Sequence, residues 1–115
     1  MKLVIIPPYK NPVAQPGLIL AEIISKMEKR GQLNGIEVDI DEGYFLDTTT
    51  QARDEEVLAN VNVGNISKVR EYCESDKHDA IVLTGGCIDP ALVATRAFSK
   101  IPVTGGLHSS LHVAS

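Results

Sequence analysis

Apolar residues in this chain follow two different spacings that alternate along its length. Short continuous or alternating apolar runs are typical of β-strands, and apolar positions three and four residues apart are typical of amphipathic helices. The strand-like runs are 3–6, 36–40, 80–83 and 101–104, and the helix-like stretches are 17–30, 62–75 and 89–98. Strands that alternate with helices predict a parallel sheet joined by right-handed crossovers.

The first strand and the first helix carry the clearest patterns. The run 3–6 is uninterrupted and ends at Pro7-Pro8, where the ladder of hydrogen bonds cannot continue. In the first helix, basic residues occupy the last turn and Gly31 follows it, as expected at a helix C-terminus. The apolar stripe of this helix consists of Leu20, Ile23, Ile24 and Met27. The pattern predicts a buried strand followed by an amphipathic helix.

The middle of the chain is more polar. Residues 36–40 alternate apolar with acidic side chains, which predicts a half-buried strand near a sheet edge. Residues 41–56 show no period, so we expect a long surface loop there, with or without a helical turn. The helix predicted over 62–75 has Gly64 near its start, and its apolar stripe includes Cys73. Cys73 is therefore interpreted as a packing residue, and His78 as a residue of a surface loop.

Composition sets limits on the number of domains and on the partners. The 115 residues are 43% hydrophobic with a net charge of −4, which suits one domain and argues against nucleic acid or an anionic membrane as partner. We predict an α/β fold, a single three-layer lobe over 1–115 with a mainly parallel four-stranded sheet flanked by helices. Because no signal peptide or membrane-spanning run is apparent, a cytoplasmic location with reduced thiols is expected.

Two glycine pairs follow predicted strands. Thr84-Gly85-Gly86 comes after the third strand and Thr104-Gly105-Gly106 after the fourth. The carboxyl ends of parallel strands share one edge of a sheet, where ligands bind in such folds. Cys87 lies between the first pair and a predicted helix N-terminus, which favours the thiolate form. Cys87 is either a reactive thiol or a small packing residue.

The segment from His78 to Leu92 resembles the first half of the aspartate/glutamate/hydantoin racemase superfamily. The hydantoin racemase branch has a similar Asp-Ala-Ile-Val strand and a Cys two residues before Asp-Pro, as Cys87 stands here before Asp89-Pro90. It also has a Pro-Val-x-Gly strand leading into a helix with His, which matches 102–105 and His112. The likeness is close over 78–114 and rests on element order elsewhere.

This resemblance implies cofactor-independent proton exchange at a carbon next to a carbonyl group. Cys87 would act as the first base or acid, opposite a second cysteine from another lobe. The residues expected to hold the substrate are Thr84, Gly85, Gly86, Thr104, Gly105 and Asn11. Asn11 is included because Pro7-Pro8-Tyr9 replaces the Asn-containing turn of the family, and Asn11 is close enough in the chain to reach the same region.

The resemblance also implies which partner chain and which substrate the protein needs. It implies half of a two-lobed enzyme, completed by a second lobe or by a second copy of the chain in a homodimer, acting on a small carboxylate or hydantoin-like substrate. No metal site is predicted, because His108 and His112 share a helix spacing but no third ligand is placed near them. The alternative function is a non-catalytic small-anion binding or interaction domain that retains the strand-end glycines.

Overall fold

The computed structural model describes residues 1–10, 16–45, 55–84 and 89–105. Strands and helices alternate along these residues. The strands are β1 (Lys2–Ile6), β2 (Glu37–Ile40), β3 (Ala80–Leu83) and β4 (Val103–Gly105), and the helices are α1 (Pro16–Lys29), α2 (Glu55–Ser75) and α3 (Asp89–Phe98). The predicted α/β fold class is confirmed.

The strands form one sheet in the order β2-β1-β3-β4, and every neighbouring pair is parallel. In this register Val4 of β1 lies beside Asp39 of β2 and Ile81 of β3. The strand β2 is therefore an edge strand of the described sheet, as its alternating pattern predicted. Right-handed crossovers in this order place α1 on one face of the sheet and α2 and α3 on the other.

The hydrophobic core lies on the face covered by α2 and α3. On this face Val4 and Ile6 of β1 and Ile81 and Leu83 of β3 have no exposed surface. The helices and β4 contribute Val69, Ala91, Leu92 and Val103 to the same cluster. These aliphatic side chains are the ones expected in a parallel sheet under helices.

The opposite face is covered less completely. Helix α1 buries none of its residues, and it contacts mainly the edge strand β2. Three members of its predicted apolar stripe are half-buried, but Ile23 is 48% exposed. Leu18 and Ile19 are also exposed. Because α1 lies over an edge strand, only part of its apolar surface meets the sheet.

The end of α1 follows the sequence prediction. The N–H of Gln32 donates to the carbonyl of Met27 and the N–H of Gly31 donates to that of Glu28, each at 3.0 Å. This pair of bonds is the Schellman motif, which requires a left-handed residue after the helix. Gly31 supplies that residue with φ of 73°.

Helix α2 is longer than its sequence pattern indicated. It begins at Glu55 rather than at residue 62, so the end of the loop predicted over 41–56 is wrong, and residues 46–54 lie outside the described part of the chain. Gly64, which obscured the start, lies inside the helix. A Cβ atom at Gly64 would lie 2.2 Å from Cδ2 of Tyr44. The glycine therefore allows the Tyr44 ring to lie directly against the helix backbone.

Gly64→Ala is expected to lower the free energy of unfolding by roughly 1–3 kcal/mol, because the new methyl group displaces a half-buried ring. Alanine is otherwise favoured over glycine in a helix by about 1 kcal/mol. The same change in a Tyr44→Ala background should therefore stabilise the protein. Urea unfolding of the wild type, the two single variants and the double variant measures both effects. A stabilising Gly64→Ala in the presence of Tyr44 would contradict this packing.

The last described strand begins and ends later in the chain than its sequence pattern predicted. The pattern predicted a strand over 101–104, but β4 spans Val103–Gly105. The Ser99 hydroxyl donates to the carbonyl of Ile101 at 2.6 Å and lies 3.3 Å from the N–H of the same residue. The backbone of Ile101 is therefore used in a turn, and β4 begins after Pro102.

Candidate functional site

The strand order places a topological switch point between β1 and β3. The chain leaves β1 towards β2 through α1, and it leaves β3 in the opposite direction, towards β4 through α3. In open parallel sheets, ligands bind in the crevice beyond the carboxyl ends of the strands at such a point. Pro7 follows β1 there and Thr84 follows β3. This edge is the candidate site.

Thr84 connects the two strands at the switch point. Its N–H lies 3.2 Å from the carbonyl oxygen of Ile6, and its hydroxyl donates to the same oxygen at 3.1 Å. The β1–β3 ladder thus continues one residue past the end of β3. Because the hydroxyl proton is used on Ile6, the Oγ1 atom is left to accept rather than donate a hydrogen bond.

Two predicted substrate-binding residues lie at the same edge on the neighbouring strand. Gly105 is buried and pairs with Leu83, the residue before Thr84. Thr104 is half-buried and pairs with Val82, whose side chain points to the α1 face. The parallel pairing of β3 with β4 therefore brings Thr84 and Gly105 together, as the sequence predicted from the two strand ends.

Several predicted site residues fall outside the described ranges. These are Asn11, Gly85, Gly86 and Cys87. His108 and His112, at which no metal site was predicted, also lie outside the described ranges. The chain connectivity around Cys87 is described on both sides, because β3 ends at Leu83 and α3 begins at Asp89. Cys87 belongs to the connection that runs from the carboxyl end of a central strand to the amino end of a helix.

Asp41, which sequence reasoning did not select, is the most heavily bonded carboxylate described. It follows β2 and accepts hydrogen bonds from the Lys68 ammonium group at 2.7 Å, the Tyr72 hydroxyl at 2.5 Å and the Gly43 N–H at 2.8 Å. Lys68 and Tyr72 belong to α2. Asp41 therefore links the end of β2 to α2.

The surroundings of Asp41 shift two ionisation equilibria. Burial alone would raise the pKa of Asp41, but the hydrogen bonds from Lys68, Tyr72 and Gly43 outweigh it and lower the pKa. For Tyr72, burial and then the hydrogen bond to the Asp41 carboxylate raise the pKa of the phenol. At neutral pH the pair is thus an ionised carboxylate and a neutral phenol, which suits a structural contact.

His78 is buried, although the sequence suggested a surface loop residue. It is 9% exposed, its Nε2 atom lies 2.8 Å from the Asp39 carboxylate, and its ring meets Tyr72 edge-on with centroids 5.2 Å apart. The hydrogen bond with His78, partly opposed by desolvation, lowers the pKa of Asp39. This contact lies away from the carboxyl-end edge, so the prediction for His78 is corrected to a packing role.

Cys73 occupies the position predicted for a packing residue. Its half-buried side chain packs against the hydrophobic core, and its Sγ atom lies 3.2 Å from the Ser99 hydroxyl oxygen. It lies in the last turns of α2, towards the amino ends of the strands. This thiol is therefore remote from the candidate site.

A cavity of about 300 Å³ lies between the start of α1 and the end of β2. Its lining includes Gly17, Leu18 and Asp41, together with Lys10 and Glu42, whose charged groups are 3.6 Å apart. The cavity is on the β2 side of β1, whereas Thr84 and Gly105 are on the β3 side. It does not bring the predicted substrate-binding residues together.

The described residues contain neither a metal-binding cluster nor a membrane-spanning helix. Among residues 1–10, 16–45, 55–84 and 89–105, no group of three or more His, Cys, Asp or Glu residues is arranged to hold a metal ion. Within the same ranges, no helix combines the length and apolar character needed to cross a membrane. Comparison of the chain with protein-family models, curated proteins and solved structures gave no match.

Proposed function

We propose that this chain is a racemase-type isomerase lobe that exchanges the α-proton of a small amino acid, hydantoin or related carboxylate through the thiol of Cys87. The observation that carries the proposal is the adjacency of the β3 and β4 carboxyl ends beside the switch point. Cys87 follows one of these ends in the chain, and Thr84 and Gly105 belong to the same edge. The sequence resemblance over 78–114 supports the same chemistry.

In this mechanism the Cys87 thiolate takes the proton from the carbon next to the substrate carbonyl. The electron pair of the broken C–H bond moves into the carbonyl group and forms an enolate, which needs hydrogen-bond donors at its oxygen. Since the Thr84 hydroxyl proton is donated to Ile6, backbone N–H groups of the glycine-rich stretches are the proposed donors. No cofactor takes part in these steps.

Racemisation further requires a thiol that returns a proton to the opposite face of the enolate. We propose that a second lobe or a second copy of this chain supplies it, in a cytoplasmic enzyme where thiols stay reduced. A two-fold homodimer is the simplest arrangement, since the same surface of each copy then meets itself. A lobe with one thiol would exchange the proton without inverting the carbon centre.

The protein is expected to incorporate deuterium at the α-carbon of an amino acid, a hydantoin or a related carboxylate in deuterated buffer. Proton NMR follows the loss of the α-proton signal, and chiral chromatography separates exchange from racemisation. EDTA should leave the rate unchanged, because the chemistry is assigned to a thiol. Exchange that stops on chelation, or no exchange with any of the three substrate classes, would contradict the proposal.

A further inference from the structure

A buried carboxamide, the side chain of Asn65, lies on the inward-facing side of α2. Val61, Asn65 and Val69 lie on successive turns of the helix, and all three are buried, so they form one inward-facing stripe. Val69 packs in the core cluster. Asn65 lies one turn nearer the start of α2, and α2 starts at the carboxyl-end edge because it follows β2 and leads back to β3.

Both polar atoms of the Asn65 side chain are unsatisfied. The side chain has no exposed surface, and neither Nδ2 nor Oδ1 has a hydrogen-bond partner. Buried side-chain amides are nearly always bonded, and each orphaned group reduces stability. A leucine of similar size at this position would complete the stripe between Val61 and Val69 without that penalty. The polar side chain therefore requires an explanation other than packing.

The hydrogen-bonding atoms of a carboxamide determine which ligand groups can pair with it. Nδ2 supplies donors and Oδ1 supplies an acceptor, so both atoms are satisfied by a group that presents a C=O and an N–H side by side. Amides, imides and ureides have this edge. A carboxylate can only accept, which would leave Oδ1 of Asn65 buried and unpaired. A site built to pair with a hydrogen-bonding edge discriminates strongly against analogues that lack it.

We propose that Asn65 is a specificity residue that pairs with the amide, imide or ureide edge of a small ligand at the carboxyl-end edge of the sheet. This inference rests on the proposed function and narrows its substrate class to molecules with adjacent C=O and N–H groups. Tyr44, whose ring lies against the neighbouring Gly64, is part of the covering near this position. Because Asn65 has no exposed surface, the ligand enters by local opening, which lowers its apparent affinity.

Succinimide and succinate are matched probes, because they share a carbon skeleton and differ in the edge they present. In protein labelled with ¹⁵N-asparagine, the side-chain NH₂ signals of Asn65 are identified by their loss in Asn65→Leu. We expect these signals to shift saturably with succinimide and not with succinate. Asn65→Leu should weaken succinimide binding at least about tenfold, the effect of one lost buried hydrogen bond.

Asn60→Leu is the matched control, since Asn60 is an exposed asparagine on the same helix and its replacement should not change binding. Succinimide that binds without moving the Asn65 signals, or equally well to Asn65→Leu, would overturn the inference, and a trapped water on Asn65 would then be its partner. If Asn65→Leu does not fold, comparable binding of succinimide and succinate to the wild-type protein would also overturn the inference.

The same titration on Cys87→Ala separates this inference from the proposed function. Succinimide binding that persists in Cys87→Ala supports the role of Asn65 regardless of catalysis. Proton exchange that is unaffected in Cys87→Ala removes the proposed chemistry, yet leaves the selectivity of Asn65 to be judged on the binding data alone.

Discussion

Replacing Cys87 with Ala is expected to reduce α-deuterium incorporation by at least about 100-fold, because the variant lacks the base that removes the proton. The effect should fall on kcat rather than on substrate binding, since the thiol acts on the reacting atom in the transition state. Proton NMR of substrate in deuterated buffer measures the initial rate, and circular dichroism shows whether the variant retains its fold.

Cys73→Ala is the matched control for this experiment. Cys73 is half-buried against the core, and its Sγ atom lies beside the Ser99 hydroxyl, so the replacement should affect stability and leave the exchange rate within a few-fold of the wild-type value. Iodoacetamide should also modify Cys87 faster than Cys73 at neutral pH. Retention of full activity in Cys87→Ala would remove Cys87 from the chemistry, whereas the absence of exchange in the wild-type protein would favour the alternative of a non-catalytic anion-binding domain.

Asp41→Ala is expected to lower the free energy of unfolding by about 2–3 kcal/mol, because it leaves Lys68, Tyr72 and the Gly43 N–H without their shared acceptor. The Asp41 side chain is only 11% exposed, and that of Lys68 is 23% exposed. Glu42→Ala is the control, since this neighbouring carboxylate also pairs with a lysine but is 84% exposed. Its replacement should change stability by less than about 0.5 kcal/mol.

The contribution of Asp41 should also depend on pH. Its pKa in the folded protein is lower than the ordinary value, so the stabilisation is complete above about pH 4, the pKa range of an unfolded aspartate, and disappears as the pH falls through the folded pKa. The difference in unfolding free energy between wild type and Asp41→Ala should therefore shrink below pH 4. A difference that stays constant between pH 7 and pH 3 would show that the carboxylate charge is not its source.

The elements governed by local pattern could be predicted from the sequence. The first strand ends at Pro7-Pro8, the first helix ends before Gly31, and the third strand ends before Thr84-Gly85-Gly86. Proline and glycine mark these ends, because proline cannot continue the ladder of a strand and glycine readily adopts the left-handed backbone that follows a helix. The adjacency of the β3 and β4 ends then follows from parallel pairing. The predicted edge position of β2 follows likewise from the alternation of Val38 and Ile40 with acidic residues.

Features that depend on distant residues could not be predicted in this way. Glycine has a low helix propensity, so Gly64 by itself weakens α2. The reason for a glycine at this position is the Tyr44 ring, which packs directly against it. Likewise, His78 is polar and follows a helix, but Asp39 and Tyr72 enclose it from elsewhere in the chain. For Asp41, the alternation of Glu37, Asp39 and Asp41 indicated a shared face, but the opposing Lys68 depends on how α2 crosses the sheet.

Because helices cover the two faces of the sheet unequally, the elements on these faces should differ in how readily their backbone hydrogen bonds open. Helix α1 has no buried residue, whereas β1 and β3 are central strands whose core-facing side chains are fully buried. Cooperative units with little buried apolar surface open at low free energy. Amide hydrogens of α1 should therefore exchange with solvent through local fluctuations, while those shared by β1 and β3 exchange only when the whole sheet comes apart.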